Sequence, residues 1–247
     1  MCGIFGAVGN YDVELVKLLA VLNEDRGKDS FGIYNGTEIA RELGRPRDSL
    51  GSFDSQGVYL MGHTRKASVG AVSIANAHPF QVGPIIGAHN GTVSNFAALK
   101  EKYKDSLPAD FDVDSQLIFW GLGKHGHEFL KEIYAGWSIS WTDARLPEYF
   151  FLACHYNPLA VAEMEGVLYY SSRADDLRAV GLVPVEVPSD EIHMVHTKTL
   201  GITKHKLTWQ YRALPAPQSE TLGAGCSILN IADWKESHYS RKNGYVE

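Results

Sequence analysis

The chain opens Met1-Cys2-Gly3-Ile4-Phe5-Gly6, and the chemistry of its second residue governs how everything after it is read. Gly3 to Val8 has the apolar character of a buried strand, so a thiol stands at the strand's leading end. An initiator Met followed by a small residue is normally removed, which would leave Cys2 first. A terminal cysteine carries a thiol and a free α-amine, whose reference pKa of about 7.7–8.0 suits it to act as base toward its own nucleophile. Gly3, lacking a Cβ, lets a substrate approach the backbone behind the sulfur. The plainer reading makes Cys2 a small buried hydrophobe on an edge strand. A phosphate loop is a poor match, because Gly3, Gly6 and Gly9 are spaced by three with no lysine where such a loop needs one.

Composition narrows the choice of class. The 247 residues are 45% hydrophobic and 21% charged, which fits one compact folded body and excludes a disordered, collagen-like or coiled-coil chain. Lys and Arg total 23 against 29 Asp and Glu, a net charge of −6, so no direct nucleic-acid binding is expected. No apolar run approaches the roughly 20 residues of a membrane span, and the start lacks a basic segment leading into an apolar one; no membrane contact and a cytoplasmic setting are expected. The three cysteines, Cys2, Cys154 and Cys226, are too few and uneven for a disulfide framework.

Apolar periodicity predicts a helix over Val13–Asn23 and a hairpin pairing Phe31–Tyr34 with Glu38–Ala40, Asn35-Gly36 forming a tight primed turn. Strands are expected at Val58–Gly62 and Ile85–His89, each leading into polar residues, the second through an Asn90-Gly91 turn. Helices follow at Asn95–Tyr103, Ser115–Leu122 and His127–Ala135. Strands then dominate at Trp137–Trp141, Tyr149–Tyr156, Leu159–Glu163, Val167–Ser171, Ile192–His196 and Ile202–Tyr211, with a short helix at Ala174–Val180. Strands, helices, then strands in one body point to an α+β fold with stacked sheets and outer helices. The Pro- and Gly-containing stretch after Leu214 sets apart residues 215–247 as a tail or extension to a domain over residues 1–214.

Six stretches in order, with the early cysteine, resemble a class II glutamine amidotransferase domain, of the N-terminal nucleophile hydrolase type. They are Cys2-Gly3-Ile4-Phe5-Gly6, Arg26-Gly27-Lys28-Asp29-Ser30-Phe31-Gly32, Gly62-His63-Thr64-Arg65-Lys66-Ala67-Ser68, Asn76-Ala77-His78-Pro79, His89-Asn90-Gly91 with Asn95 beyond, and Asp114-Ser115-Gln116. Among branches, the chain is most similar to the glutaminase domain of hexosephosphate aminotransferases. The resemblance implies a four-layer α/β/β/α sandwich, no cofactor, and hydrolysis of L-glutamine to glutamate and ammonia through a Cys2 thioester.

Residue by residue, the resemblance makes Cys2 the nucleophile, with Asn90 and the Gly91 N–H as donors to the oxyanion. It assigns Arg65 to the α-carboxylate of glutamine and Asp114 to the α-ammonium, suited to a guanidinium fork and a fixed anion. Outside the motif context Arg65 would read as a surface ion pair and Asp114 as a helix cap. Ser68, His78 and His89 are candidates for lining the pocket; Arg26, Gly27 and Asp29 are candidates for holding the start of the chain and its neighbouring loop. Lys66, Ser68 and Val69 depart from the branch's usual Trp, Thr and His, which puts the packing of a lid over the substrate in doubt. Phe80 and Gln116 replace a usual His and Glu.

No metal is expected, since His125-x-His127, Cys154-His155 and His193-x-x-His196 lack a second matched pair at zinc spacing. With about 247 residues used by one glutaminase-type domain, the expectation is a subunit that passes ammonia to a separate synthase. The alternatives are a free-standing amide or γ-glutamyl hydrolase and a catalytically silent glutamine-binding regulator.

Overall fold

The computed structural model describes residues 2–49, 51, 57–68, 70–109 and 111–208. The expected tail at 215–247, Val69, Cys226 and the end of the strand placed at Ile202–Tyr211 lie outside those residues.

In chain order the elements are β1 (Gly3–Gly9), α1 (Val13–Asn23), β2 (Ser30–Tyr34), β3 (Ile39–Leu43), β4 (Tyr59–Arg65), β5 (Phe80–Val82), β6 (Ile85–Gly91), α2 (Phe96–Lys102) and α3 (Asp114–His125). A 3-10 helix, Gly126–Glu132, continues from α3. Then come β7 (Trp137–Asp143), β8 (Tyr149–His155), β9 (Ala160–Met164), β10 (Val167–Ser171), α4 (Ala174–Ala179), β11 (Val185–Glu186), β12 (Glu191–His196) and β13 (Ile202–Lys206). One antiparallel sheet runs β11-β9-β10-β1-β4-β2-β3 and the other β13-β12-β8-β7-β6-β5.

Strand alternation explains the layering. Along β1, Ile4 and Val8 join Tyr59, Met61, Ala88, Phe150, Leu152 and Tyr170 in a core between the two sheets. The intervening Phe5 and Ala7 face the other way, into a cluster with Val16, Leu19 and Ala20 of α1 and Leu177 of α4. On the second sheet the outward residues Ile139, Trp141, Phe151 and Ala153 pack with Leu117 and Phe119 of α3 and Phe129 of the 3-10 helix. Helix, sheet, sheet, helix is the α/β/β/α order expected. The central strands β1 and β8 are buried on both faces and read as nearly unbroken apolar runs, whereas β7 alternates Trp137, Ile139 and Trp141 with Ser138, Ser140 and Thr142.

Local chemistry sets the ends of these elements. Asp12 caps α1, its Oδ1 accepting the N–H groups of Glu14 at 2.8 Å and Leu15 at 3.4 Å. The β2–β3 hairpin pairs Tyr34 with Ile39, so its loop spans four residues rather than two. Asn35 stays out of the positive-φ region and Gly36 alone supplies it, at φ 96°. The Asn35 Oδ1 instead accepts the N–H groups of Thr37 and Glu38, both at 3.0 Å. The Asn90-Gly91 pair is likewise no tight turn. β6 continues through it, pairing Asn90 with Ser138 and Gly91 with Trp137 of β7. The 3-10 helix stops at Glu132, short of the Ala135 expected.

Candidate active site

Three strands deliver their ends to one place. Gly3 of β1 sits opposite Thr64 of β4 in the first sheet, while β6 brings His89, Asn90 and Gly91 from the second. Cys2 immediately precedes β1, and its Sγ lies 3.4 Å from both the carbonyl oxygen and the amide nitrogen of Lys66. Backbone on both sides therefore fixes the sulfur at the mouth of a pocket. That pocket is lined by Cys2, Arg65, Lys66, Ser68, His78, His89, Gly91, Val113, Asp114 and Ser115.

Charged groups around the sulfur are tied to the scaffold. The Arg26 guanidinium donates through Nε to the Cys2 carbonyl at 2.6 Å. Asp29 accepts the Ala67 N–H at 2.8 Å, steadying the loop after β4. Gly27 passes so close to Arg65 that a Cβ there would meet the Arg65 carbonyl carbon at 2.4 Å; only glycine lets the α1–β2 connection lie against the end of β4. Arg65 is buried and donates to the Ala71 carbonyl at 3.1 Å. Across the pocket Asp114, also buried, begins α3, where the helix's amino end favours a negative charge. Its Oδ2 accepts the Val93 N–H at 2.7 Å. It is not the cap; the Gln116 side chain serves that turn, accepting the N–H groups of Asp112 and Val113, each at 3.0 Å.

Beneath these groups lie three buried histidines. His63 bonds the His89 carbonyl through Nε2 at 3.1 Å, and its ring stands 4.0 Å from that of His78. His89 Nδ1 meets the Ser115 hydroxyl at 2.9 Å. Burial drives the His63 pKa down to about 3 and holds His78 far below its usual range. His89 is lowered by burial too, against the pull of the Asp114 carboxylate. All three are neutral at pH 7.

Burial also pushes the Cys2 thiol up, opposed by the Lys66 N–H and by the charges of Arg65 and Arg26. Asn90 is buried, and neither atom of its side-chain amide has a hydrogen-bond partner in the structure. A buried amide with no partner is costly unless the site has a use for it.

Of the residues singled out from the sequence, Cys2, Arg65, Ser68, His78, His89, Gly91 and Asp114 line this pocket, with Ser68 exposed and its Oγ 3.3 Å from the Thr92 Oγ1; Arg26, Gly27 and Asp29 lie against the backbone of Cys2, Arg65 and Ala67, and Asn90 sits between His89 and Gly91 in β6. Asn157 was missed as a site residue. Its Nδ2 lies 3.1 Å from both the Asn90 and Gly136 carbonyls, tying the end of β6 to the start of β7.

Relatives bear on what this geometry is for. The chain is 31% identical over 216 residues to glutamine–fructose-6-phosphate aminotransferase of Halalkalibacterium halodurans, covering 79% of this chain and 36% of that protein. It is 28% identical over 221 residues to the enzyme of the same name from Geobacillus kaustophilus, covering 82% and 37%. The chain thus spans little more than a third of the length of these curated relatives. No family model matches it. Among solved structures, glutamine phosphoribosylpyrophosphate amidotransferase from B. subtilis superposes with a TM-score of 0.70 at 19% identity, over 83% of this chain and 49% of that one. A glutamine aminotransferase class-II domain protein from Silicibacter pomeroyi gives 0.54 at 12% identity, over 83% and 99%. Both likenesses are of fold.

Proposed function

This chain is a class II glutamine amidotransferase domain with the N-terminal nucleophile hydrolase fold, and from that premise we propose that Cys2, freed of Met1, hydrolyses the side-chain amide of L-glutamine. The observation that carries the reading is the convergence of Cys2, a buried arginine, a buried aspartate and Gly91 at the end of β6 on one pocket.

In this reading Arg65 clasps the α-carboxylate and Asp114 the α-ammonium, which places the side-chain amide over Cys2. The sulfur bonds the amide carbon while its proton passes to the α-amine. Oxygen takes up the negative charge, held by Asn90 Nδ2 and the Gly91 N–H. Collapse breaks the carbon–nitrogen bond, the amine returns the proton to nitrogen, and ammonia leaves a γ-glutamyl thioester. Water then attacks, with the amine again as base, releasing glutamate and restoring the thiol. The relatives are named as aminotransferases, and the chain spans only part of their length. We further propose that the released ammonia is passed on to a synthase activity of the kind those names describe.

The test pairs intact mass with ammonia release. Protein shown by mass to begin at Cys2 should form glutamate and ammonia in equal amounts from L-glutamine, and Cys2→Ala should abolish both. Activity surviving in Cys2→Ala, or none in the Met1-free protein, overturns the reading. An added synthase partner should raise the rate; indifference to any such fraction would favour a free-standing hydrolase.

A further inference from the structure

Away from the pocket, two histidines 78 positions apart in the sequence, His127 and His205, meet on the outer side of the second sheet. His127 belongs to the 3-10 helix after α3 and His205 to β13, and their ring centroids are 4.3 Å apart in an edge-on arrangement. Glu128 completes the group. Its Oε1 lies 3.6 Å from His127 Nε2, while its Oε2 pairs with Lys131 at 2.6 Å. One ligand atom from each of the three lies within 4.8 Å of the others. Among the described residues this is the one such group of three. The pattern was invisible in the sequence because spacing rules look for local pairs, and the partner of His127 arrives from the far end of the sheet rather than from His125.

We propose that His127, Glu128 and His205 form a binding site for a borderline divalent cation such as Zn2+, tying β13 to the 3-10 helix. Zinc binds imidazole nitrogen and carboxylate oxygen at about 2.0–2.2 Å, which puts two ligand atoms on one ion roughly 3.3–3.5 Å apart. The His127–Glu128 separation of 3.6 Å is already close to that spacing. All three side chains are exposed, so a modest rotation brings the third in, and water fills the remaining position. Softer ions need thiolate and harder ones need more oxygen, so two imidazoles with one carboxylate select the borderline metals.

The surroundings give the site a purpose. β13 is an edge strand whose five residues are all exposed, and such an edge is open to unwanted pairing unless something holds it. His127 and His205 also border an apolar groove lined by Leu122, Trp141, Phe151 and Met194. Apolar walls restrict solvent on one side of the ion and strengthen its bonds. The cationic neighbours are Lys131, already paired with Glu128, and Lys204, which faces the same groove.

Calorimetric titration of the full chain with Zn2+ should show one equivalent bound. His127→Ala and His205→Ala should each weaken that equivalent by at least about tenfold, and Glu128→Gln by less. Zn2+ should also raise the unfolding midpoint of the parent protein and leave those of the two histidine variants unmoved. Ammonia release by the metal-free variants should match the parent. The absence of saturable binding, or an equivalent that survives both histidine variants because thiols hold it, overturns the proposal.

Discussion

At the scale of single residues, Cys2 combines a committed position with a reluctant thiol. Burial raises its pKa above the usual cysteine value despite the nearby Arg65 and Arg26, so thiolate is scarce at neutral pH and attack depends on a base. The sign follows directly: the reactive form grows as pH rises. The value of kcat/KM for ammonia release should therefore climb from pH 6 to 9, with alkylation of Cys2 by iodoacetamide climbing in step; a profile flat across that range would contradict a raised thiol. Asn90 offers the complementary test. In the proposed mechanism its unpartnered amide serves charge that exists only during reaction, so Asn90→Ala should lower kcat by about 10²–10³ and leave KM within a few-fold. These residues were legible because their chemistry is unusual where it stands: a thiol at the second position, and a fixed cation and anion inside motifs. Asn157 was not, since it acts on main-chain carbonyls, and any residue type with a suitable donor could do that without leaving a pattern.

At the scale of elements, the sequence reading identified most strands and helices but mistook how some of them end. Asn-Gly signals a turn when only local preference is weighed, yet here β7 offers pairing out to Trp137, and cross-strand hydrogen bonds outweigh the turn tendency. Gly91 then bends the strand at φ 147°, and a Cβ there would meet the Gly136 carbonyl oxygen and His89 Nε2, each at 2.7 Å. Gly91→Ala should therefore displace the N–H that, in the proposed mechanism, donates to the oxyanion. We expect kcat to fall at least tenfold, with the circular dichroism spectrum unchanged. The three histidines carried by β4, β6 and the segment before β5 make a second prediction at this scale. Burial keeps His63 neutral in the fold down to about pH 3, holds His78 far below its usual range and lowers His89, whereas the unfolded chain takes up protons near pH 6.5. Protons thus favour the unfolded state below that value, and stability is lost as pH falls through the window between the two pKa values. The loss is roughly 2 kcal/mol between pH 7 and 5 for each histidine that remains neutral, and urea unfolding across that range measures it. Stability constant over that range would mean that the imidazoles are solvated or paired in the fold.

At the scale of the whole molecule, the layer order was legible and the strand order was not. The run of strands, then helices, then strands implies stacked sheets with helices outside, and the family resemblance implies the four-layer order. Nothing local says that β1 should sit between β10 and β4, because that choice is made by distant pairings such as Gly3 with Thr64 and Phe5 with Ser171. The core between the sheets is where those distant choices are held together, and Phe150 is central to it: fully buried, with its ring 5.2 Å from Tyr59 and 5.6 Å from Tyr170, both on the opposite sheet. Removing the ring strips contacts from both sheets at once, and their backbones, fixed by hydrogen-bonded neighbours, cannot close the gap. Phe150→Ala should therefore cost about 3–5 kcal/mol in denaturant unfolding. Phe150 does not line the Cys2 pocket, so the fraction that remains folded should release ammonia with kcat and KM close to those of the parent. A smaller loss, below about 1 kcal/mol, would mean that the sheets can slide together to fill the space, and that the geometry around Cys2 tolerates their doing so.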